Sequence, residues 1–450
     1  MAVTPIGRRE FELYALSLPR GPNFEPYVLH SAWRAAKASS VGAVLLDPDD
    51  QSFRILALRR QIDDRLIVTH DEDGFRTLGG ATTALMSTLR PDEPPEALQP
   101  CDKRRPGLLD TEGRTTCERF QLLTGSVSHI AALVAVHETY LAMPRPDNNF
   151  VSDFQTDNFD SRLWELYLVA AFREQGVHVS QEQPSPDFLL ERHSHSCYVE
   201  AVTANPSGER AQGFPPPLHP PDDRAERLIG PAAVRFAKTL RSKLQRNYES
   251  MSHVKGTPFA LALADFHAPS SMVWSATALP CYLYGILPET LDGPDGRRFA
   301  SAAPVKGLLG AQAIPAGLFR DPSIAHLSAV IFSNSATLGK FNRMGFLAGF
   351  RPPGLKMVRA GDLFDPSPDA LKPIPFALDI LSDEYGAMWP GGEAWCLELE
   401  VFHNPLATSP LEPDLLPGAT HWFEQGGEII CSTPWERRVL SSVTNLLPDK

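Results

Sequence analysis

Between residues 41 and 70 the apolar runs VGAVLL, FRILALRR and RLIVTH alternate with the Asp-rich stretches DPDDQ and QIDD, the pattern of an antiparallel meander. A Pro-rich, charged segment fills 91–115, and small and apolar residues on most faces predict a helix at 125–143. A second pattern begins near Asn158. In NFDSRLWELYLVAAFREQG, Asn158 or Asp160 serves as N-cap and Gly176 as stop, which predicts a helix of about four turns. VHVSQEQ, PDFLLER and CYVEAVT then read as three short strands. The prolines and glycines of NPSGERAQGFPPPLHPPDD forbid regular structure. RAERLIGPAAVRFAKTLRSKLQRNY reads as a helix restarted at Gly230-Pro231, and PFALALADF as a fully buried strand. The order is α-β-β-β-α-β. Beyond residue 270, strands are expected at LSAVIFSN (327–334) and AWCLELEVFHNP (394–405), and no fixed-period repeat occurs.

Two positions break the strand pattern: Asp187 and Glu200 put carboxylates into runs that otherwise leave water. A hairpin turn centred between His193 and Ser194 would set Asp187 directly opposite Glu200, with Cβ atoms about 4.5–5.5 Å apart. Like charges so placed repel unless one takes a proton or a cation lies between them. Hard oxygen ligands favour Mg²⁺, which takes one or two carboxylates and fills its shell with water and phosphate. A longer or off-centre turn would instead leave one carboxylate at a solvated strand end.

The flanking helices bear on this site. Glu165 borders the apolar arc Leu163, Trp164, Tyr167, Leu168, Ala171 and Phe172, within reach of a sheet edge, although a solvated flank residue has the same position. On the later helix Lys243 borders the stripe Ala233, Phe236, Ala237, Leu240, Leu244 and Tyr248, which points it toward the sheet. Arg235, Lys238 and Arg246 point away. Between 224 and 248 seven basic residues, Arg241 among them, stand against Glu226, a local charge of +6 that suits phosphate contact by Arg235, Lys238, Arg241 and Arg246 or an ordinary solvated face.

Composition changes this picture little. The 450 residues suggest two or three packed units, and 43 % apolar with 21 % charged residues is globular. A net charge of −12 excludes a chain coated in basic surface but not a local patch. Six scattered cysteines without a CxxC read as reduced thiols of a cytoplasmic protein, and neither a signal peptide nor a membrane span is expected. ATLGK lacks the spacing of a phosphate loop, and LTGSVSH is not a nucleophile elbow. His267, His403 and His421 read as structural, and KFNRMG, with Lys340, Asn342 and Arg343, as a polar loop before a grip on a phosphate backbone.

With α-β-β-β-α-β order and acids on the second and third strands, the chain resembles the PD-(D/E)XK nuclease superfamily, in an uncharacterised bacterial branch. Pro186-Asp187 matches PD, Glu200-Ala201-Val202 stands at (D/E)-x-K, and Glu165 matches the additional acid of the first helix. LWELYL, VEAVTANP, RSKL and SNSATLGKFNRMG fit the wider pattern. One departure matters: Val202 replaces the usual lysine, on the same face as Glu200, and Lys243 fits members in which that lysine has moved to the second helix. The resemblance implies a restriction-endonuclease-like α/β core with a mixed sheet at 151–275, an N-terminal α+β region at 1–150, and 276–450 as an extension of the core or a separate α/β region. It implies Mg²⁺, or Mn²⁺ in its place, on Asp187, Glu200 and Glu165, with Lys243 completing a catalytic set that hydrolyses nucleic acid, DNA before RNA; a homodimer is compatible. The alternatives are a catalytically inactive relative that binds nucleic acid or protein, and a hydrolase of another class within 276–450.

Overall fold

The structure is a computed structural model that describes residues 3–89, 93–100, 102–206, 220–292, 298–310, 314–367, 370 and 372–449. The chain divides into two compact units, one of residues 1–179 with 340–355, the other of 180–339 with 356–449.

The first unit carries the meander. Strands β1 (Thr4–Ile6), β2 (Val28–Arg34), β3 (Ser40–Leu46), β4 (Phe53–Arg60) and β5 (Leu66–Phe75) form an antiparallel sheet in sequence order. Its middle strands are buried on both faces. Helix α1 (Arg8–Ala15) covers one with Phe11 and Tyr14, and α2 (Leu78–Thr88) the other with Ala81 and Leu85. Gly42 on β3 admits α2, because a Cβ there would lie 2.7 Å from the Leu85 side chain. Four more helices follow: α3 (Glu118–Gly125), α4 (Ile130–Ala142), α5 (Phe150–Gln155) and α6 (Phe159–Glu174). Buried Arg105 closes the end of α4 by donating to the carbonyls of Tyr140, Leu141 and Met143.

The second unit is built on α7 (Arg224–Ile229), α8 (Pro231–Leu244), α9 (Ala278–Tyr284) and an eight-stranded mixed sheet. Its strands and neighbours are β6 (His178–Ser180), β7 (Phe188–Arg192), β8 (His195–Ala204), β9 (Phe259–Asp265), β10 (Ile286–Asp292), β11 (Arg298–Pro304), β12 (Ala329–Phe332), β13 (Leu355–Leu363), β14 (Ile374–Asp379), β15 (Glu400–His403), β16 (Thr420–Gln425), β17 (Glu428–Ser432) and β18 (Val439–Pro448). The large sheet runs β17-β16-β15-β12-β9-β8-β7-β6, with the division between the units falling inside β6. A β10-β11 hairpin and a β14-β13-β18 sheet stand apart from it. Strands β8, β9 and β12 are parallel, and β7 is antiparallel to β8. The chain beyond 276 therefore extends the same sheet through β12, β15, β16 and β17. Every residue of β9 is buried, as its unbroken apolar run requires.

Helix α8 starts at Pro231, in the first helical turn where a missing N–H costs nothing, and Gly230 separates it from α7. A Cβ on Gly230 would lie 2.2 Å from the Glu226 carbonyl oxygen. The stripe Ala233, Phe236, Ala237, Leu240 and Leu244 packs with Val202, Ala204, Leu261 and Leu263 of β8 and β9 in one core. Three expectations need correction. VHVSQEQ supplies only the three residues of β6, and AWCLELEVFHNP only β15 after a 3₁₀ turn at Trp395–Glu398. KFNRMG is not a polar loop: it lies in the helix Leu338–Leu347, where Lys340, Asn342 and Arg343 are buried. Asn342 Oδ1 accepts the Ala132 N–H and its Nδ2 donates to His129 Nδ1, so it caps α4 rather than awaiting phosphate. The expected loop after β8 falls largely at 207–219, outside the described residues. Among the described residues no single helix is long and apolar enough to cross a membrane.

Candidate active site

The β7-β8 hairpin turns at His193 and Ser194, with His193 at φ 52°, and pairs Arg192 with His195 through Phe188 with Val199. The paired register ends at Phe188 and Val199, so the ladder itself stops short of Asp187, which meets β8 through its side chain instead. Within β8 the even residues turn their backbone groups to β9: Tyr198 donates to the Pro258 carbonyl and the Ala204 carbonyl accepts from Phe266. By alternation Ala201 turns its N–H and C=O toward the β7 edge. Its N–H is taken by Asp187 Oδ2 at 2.7 Å, a carboxylate in place of the next backbone acceptor.

Glu200 is 4 % exposed, on the face that carries Val202 and Ala204 into the core beneath α8. Its charge is met from the end of that helix. Lys243 Nζ donates to Oε1 at 2.7 Å, and Arg246 lies 3.8 Å from the same oxygen. The Ser185 hydroxyl donates to Oε2 at 3.3 Å, and His253 Nε2 holds the turn before Asp187 by donating to the Ser185 carbonyl at 2.9 Å. Tyr248, nearly fully buried, completes this side; burial first, then the negative charge of Glu200, holds its phenol well above the usual range. Val202 lies in the apolar core, and the amine that reaches Glu200 is that of Lys243 on α8.

The outward basic face is only partly realised. Lys238 is exposed, but Arg235 and Arg241 are half-buried. Arg241 faces the Tyr282 phenol of α9, an element the sequence reading did not anticipate. Arg246 does not point away: α8 ends at Leu244 and Asn247 is left-handed, so helical spacing no longer applies and the guanidinium turns back toward Glu200. Glu165 belongs to the first unit, where Oε1 accepts from Arg162 at 2.9 Å. Sequence reasoning missed Ser185 and His253, for which no spacing signal exists. Tyr248 had a signal, since it continues the α8 stripe.

The donors suit a hard cation in kind: two carboxylates and the Ala201 carbonyl. Among the described residues no group of three His, Cys, Asp or Glu side chains is gathered for a metal, so water and phosphate would fill the remaining positions. The histidines of the sheet are engaged elsewhere. His267 Nδ1 donates to buried Asp265 at 2.6 Å, and His403 and His421 bond each other at 2.9 Å. Comparison of the chain with family models, with curated proteins and with solved structures gives no match.

Proposed function

We propose that the protein is a metal-dependent nuclease of the restriction-endonuclease-like PD-(D/E)XK type, hydrolysing phosphodiester bonds of nucleic acid, DNA in preference to RNA. The observation that carries this reading is the approach of Lys243 to Glu200, 2.7 Å between Nζ and Oε1, beside the turn that delivers Asp187. It supplies from α8 the amine that Val202 cannot.

Asp187, Glu200 and the Ala201 carbonyl would hold Mg²⁺ or Mn²⁺. When bound, the cation supplies Lewis acidity at the phosphate and acidifies water. Lys243 orients the attacking water or stabilises charge developing on the phosphate. Arg246, with 60 % of its side chain exposed, and Lys238 engage the phosphate backbone. Glu165 is left outside this set.

One observation favours a second reading. The Lys243–Glu200 pair is already neutral, as a structural ion pair in a catalytically inactive binding module would be. The two separate in one experiment: plasmid DNA, single-stranded DNA and RNA are incubated with the full chain and Mg²⁺ or Mn²⁺. The nuclease reading expects metal-dependent cleavage that disappears in Asp187→Asn and Glu200→Gln. Nucleic-acid binding that persists in both variants, with no cleavage by any form, identifies the module.

A further inference from the structure

Lys243 and Arg246 both address Oε1 of Glu200, while the groups recorded on its other side are neutral: the Ser185 hydroxyl donates to Oε2 and the Tyr248 phenol lies against the carboxylate. A carboxylate this buried is tolerated only when a positive group compensates it. The compensating lysine is not locked in place. It sits in the last turn of α8, its side chain is 25 % exposed, and a four-carbon stem lets its ammonium reach water. Glu200 has no such freedom, because its strand is held by β7 and β9.

We propose that Lys243 is the resident counter-ion of Glu200 and that a divalent cation displaces it, so that metal entry and lysine release are one exchange. This rests on the reading of Asp187 and Glu200 as cation ligands. The released ammonium moves to the exposed side, where Arg246 stands, and there meets a phosphate of the nucleic acid. Linkage then makes the two ligands help each other: a phosphate that holds Lys243 off Glu200 tightens the cation, and the cation tightens the phosphate by the same factor. The protein would thus hold its metal weakly until nucleic acid arrives.

The test is calorimetric titration of MnCl₂ into the full chain, with and without a single-stranded oligonucleotide, for the wild type, Lys243→Met, Lys243→Gln and Glu200→Gln. Removing the competitor should tighten Mn²⁺ binding about tenfold in both lysine variants, and the oligonucleotide should tighten it in the wild type alone. Glu200→Gln should lose the site. Thermal unfolding serves as a control: without metal the lysine variants should melt below the wild type, and Mn²⁺ should raise their midpoint more than it raises the wild type's. Equal or weaker Mn²⁺ binding by folded Lys243→Met and Lys243→Gln, with binding still lost in Glu200→Gln, overturns the exchange and leaves the ligand reading standing. Absence of Mn²⁺ binding in every form, or binding indifferent to Glu200→Gln, removes the ligand reading and the exchange with it.

Discussion

Asp187 Oδ2 lies 2.7 Å from the backbone N–H of Ala201, where β7, had it continued, would have offered a backbone carbonyl. A side-chain oxygen therefore ends the ladder and sits at the edge to which Ala201 also turns its C=O. Asp187→Ala removes that acceptor and should destabilise the second unit by about 1–3 kcal/mol. Asp187→Asn keeps an oxygen there and should stay close to wild type in urea unfolding, while losing any metal-dependent activity. Equal destabilisation by both would show that the bond to Ala201 has no part in holding the turn.

The Glu200–Lys243 pair is asymmetric, with 5 % of one side chain exposed and 25 % of the other. Lys243→Met strands a buried carboxylate and should cost roughly 2–4 kcal/mol. Glu200→Met strands an ammonium that can swing into water, so its cost should be smaller. The double substitution should recover much of the loss. Urea unfolding of the three variants closes a double-mutant cycle that reads this order directly.

Histidines of β15 and β16 give the fold a pH dependence. His421 Nε2 lies 3.0 Å from the Leu416 carbonyl, which can only accept, so that nitrogen bears the proton and Nδ1 accepts from His403 Nε2. Burial depresses both, and the neighbouring His421 adds to the effect on His403, which is lowered to about 3. In the unfolded chain each titrates near ~6.5, so below that pH the unfolded state binds more protons than the folded one. Their stabilisation is present above about pH 6.5 and is lost as pH falls toward the folded values, at up to about 1.4 kcal/mol per pH unit for each histidine. Urea unfolding between about pH 6.5 and about pH 4.5 should show a shallower slope for His403→Gln/His421→Gln than for the wild type. Parallel slopes would count against this account.

Arg359 on β13 is fully buried, ion-paired with Glu398, 3.5 Å from Glu393 and stacked 5.2 Å over Trp389. Arg359→Met takes a buried guanidinium away from two carboxylates and should cost about 3–5 kcal/mol, measured as a drop in the urea midpoint with little change in m. A loss below about 1 kcal/mol would mean that the carboxylates find water or protons instead.

Features fixed by short-range geometry were legible. The two-residue turn at His193-Ser194 sets the hairpin register, and helical spacing through Leu244 brings Lys243 to the sheet. The α8 restart at Pro231 and the buried run of β9 are equally local. What escaped depends on long-range packing. Asn342 reads as loop until Ala132, 210 positions away, is seen to need its oxygen. Arg241 reads as a phosphate contact until α9 places Tyr282 beside it. Arg246 was misplaced by extending a helical angle past the residue where the helix stops. The pairing of β12 with β15 joins strands separated by a long stretch of chain, for which no local pattern exists.

The central claim is a divalent cation held between Asp187 and Glu200. Crystals of the protein grown with MnCl₂ and measured at the manganese absorption edge test it most directly. The account predicts an anomalous peak at bonding distance from both carboxylates and the Ala201 carbonyl, with Lys243 moved off Glu200. Crystals containing Mn²⁺ that show no peak there, with Lys243 still bonded to Glu200, would contradict it.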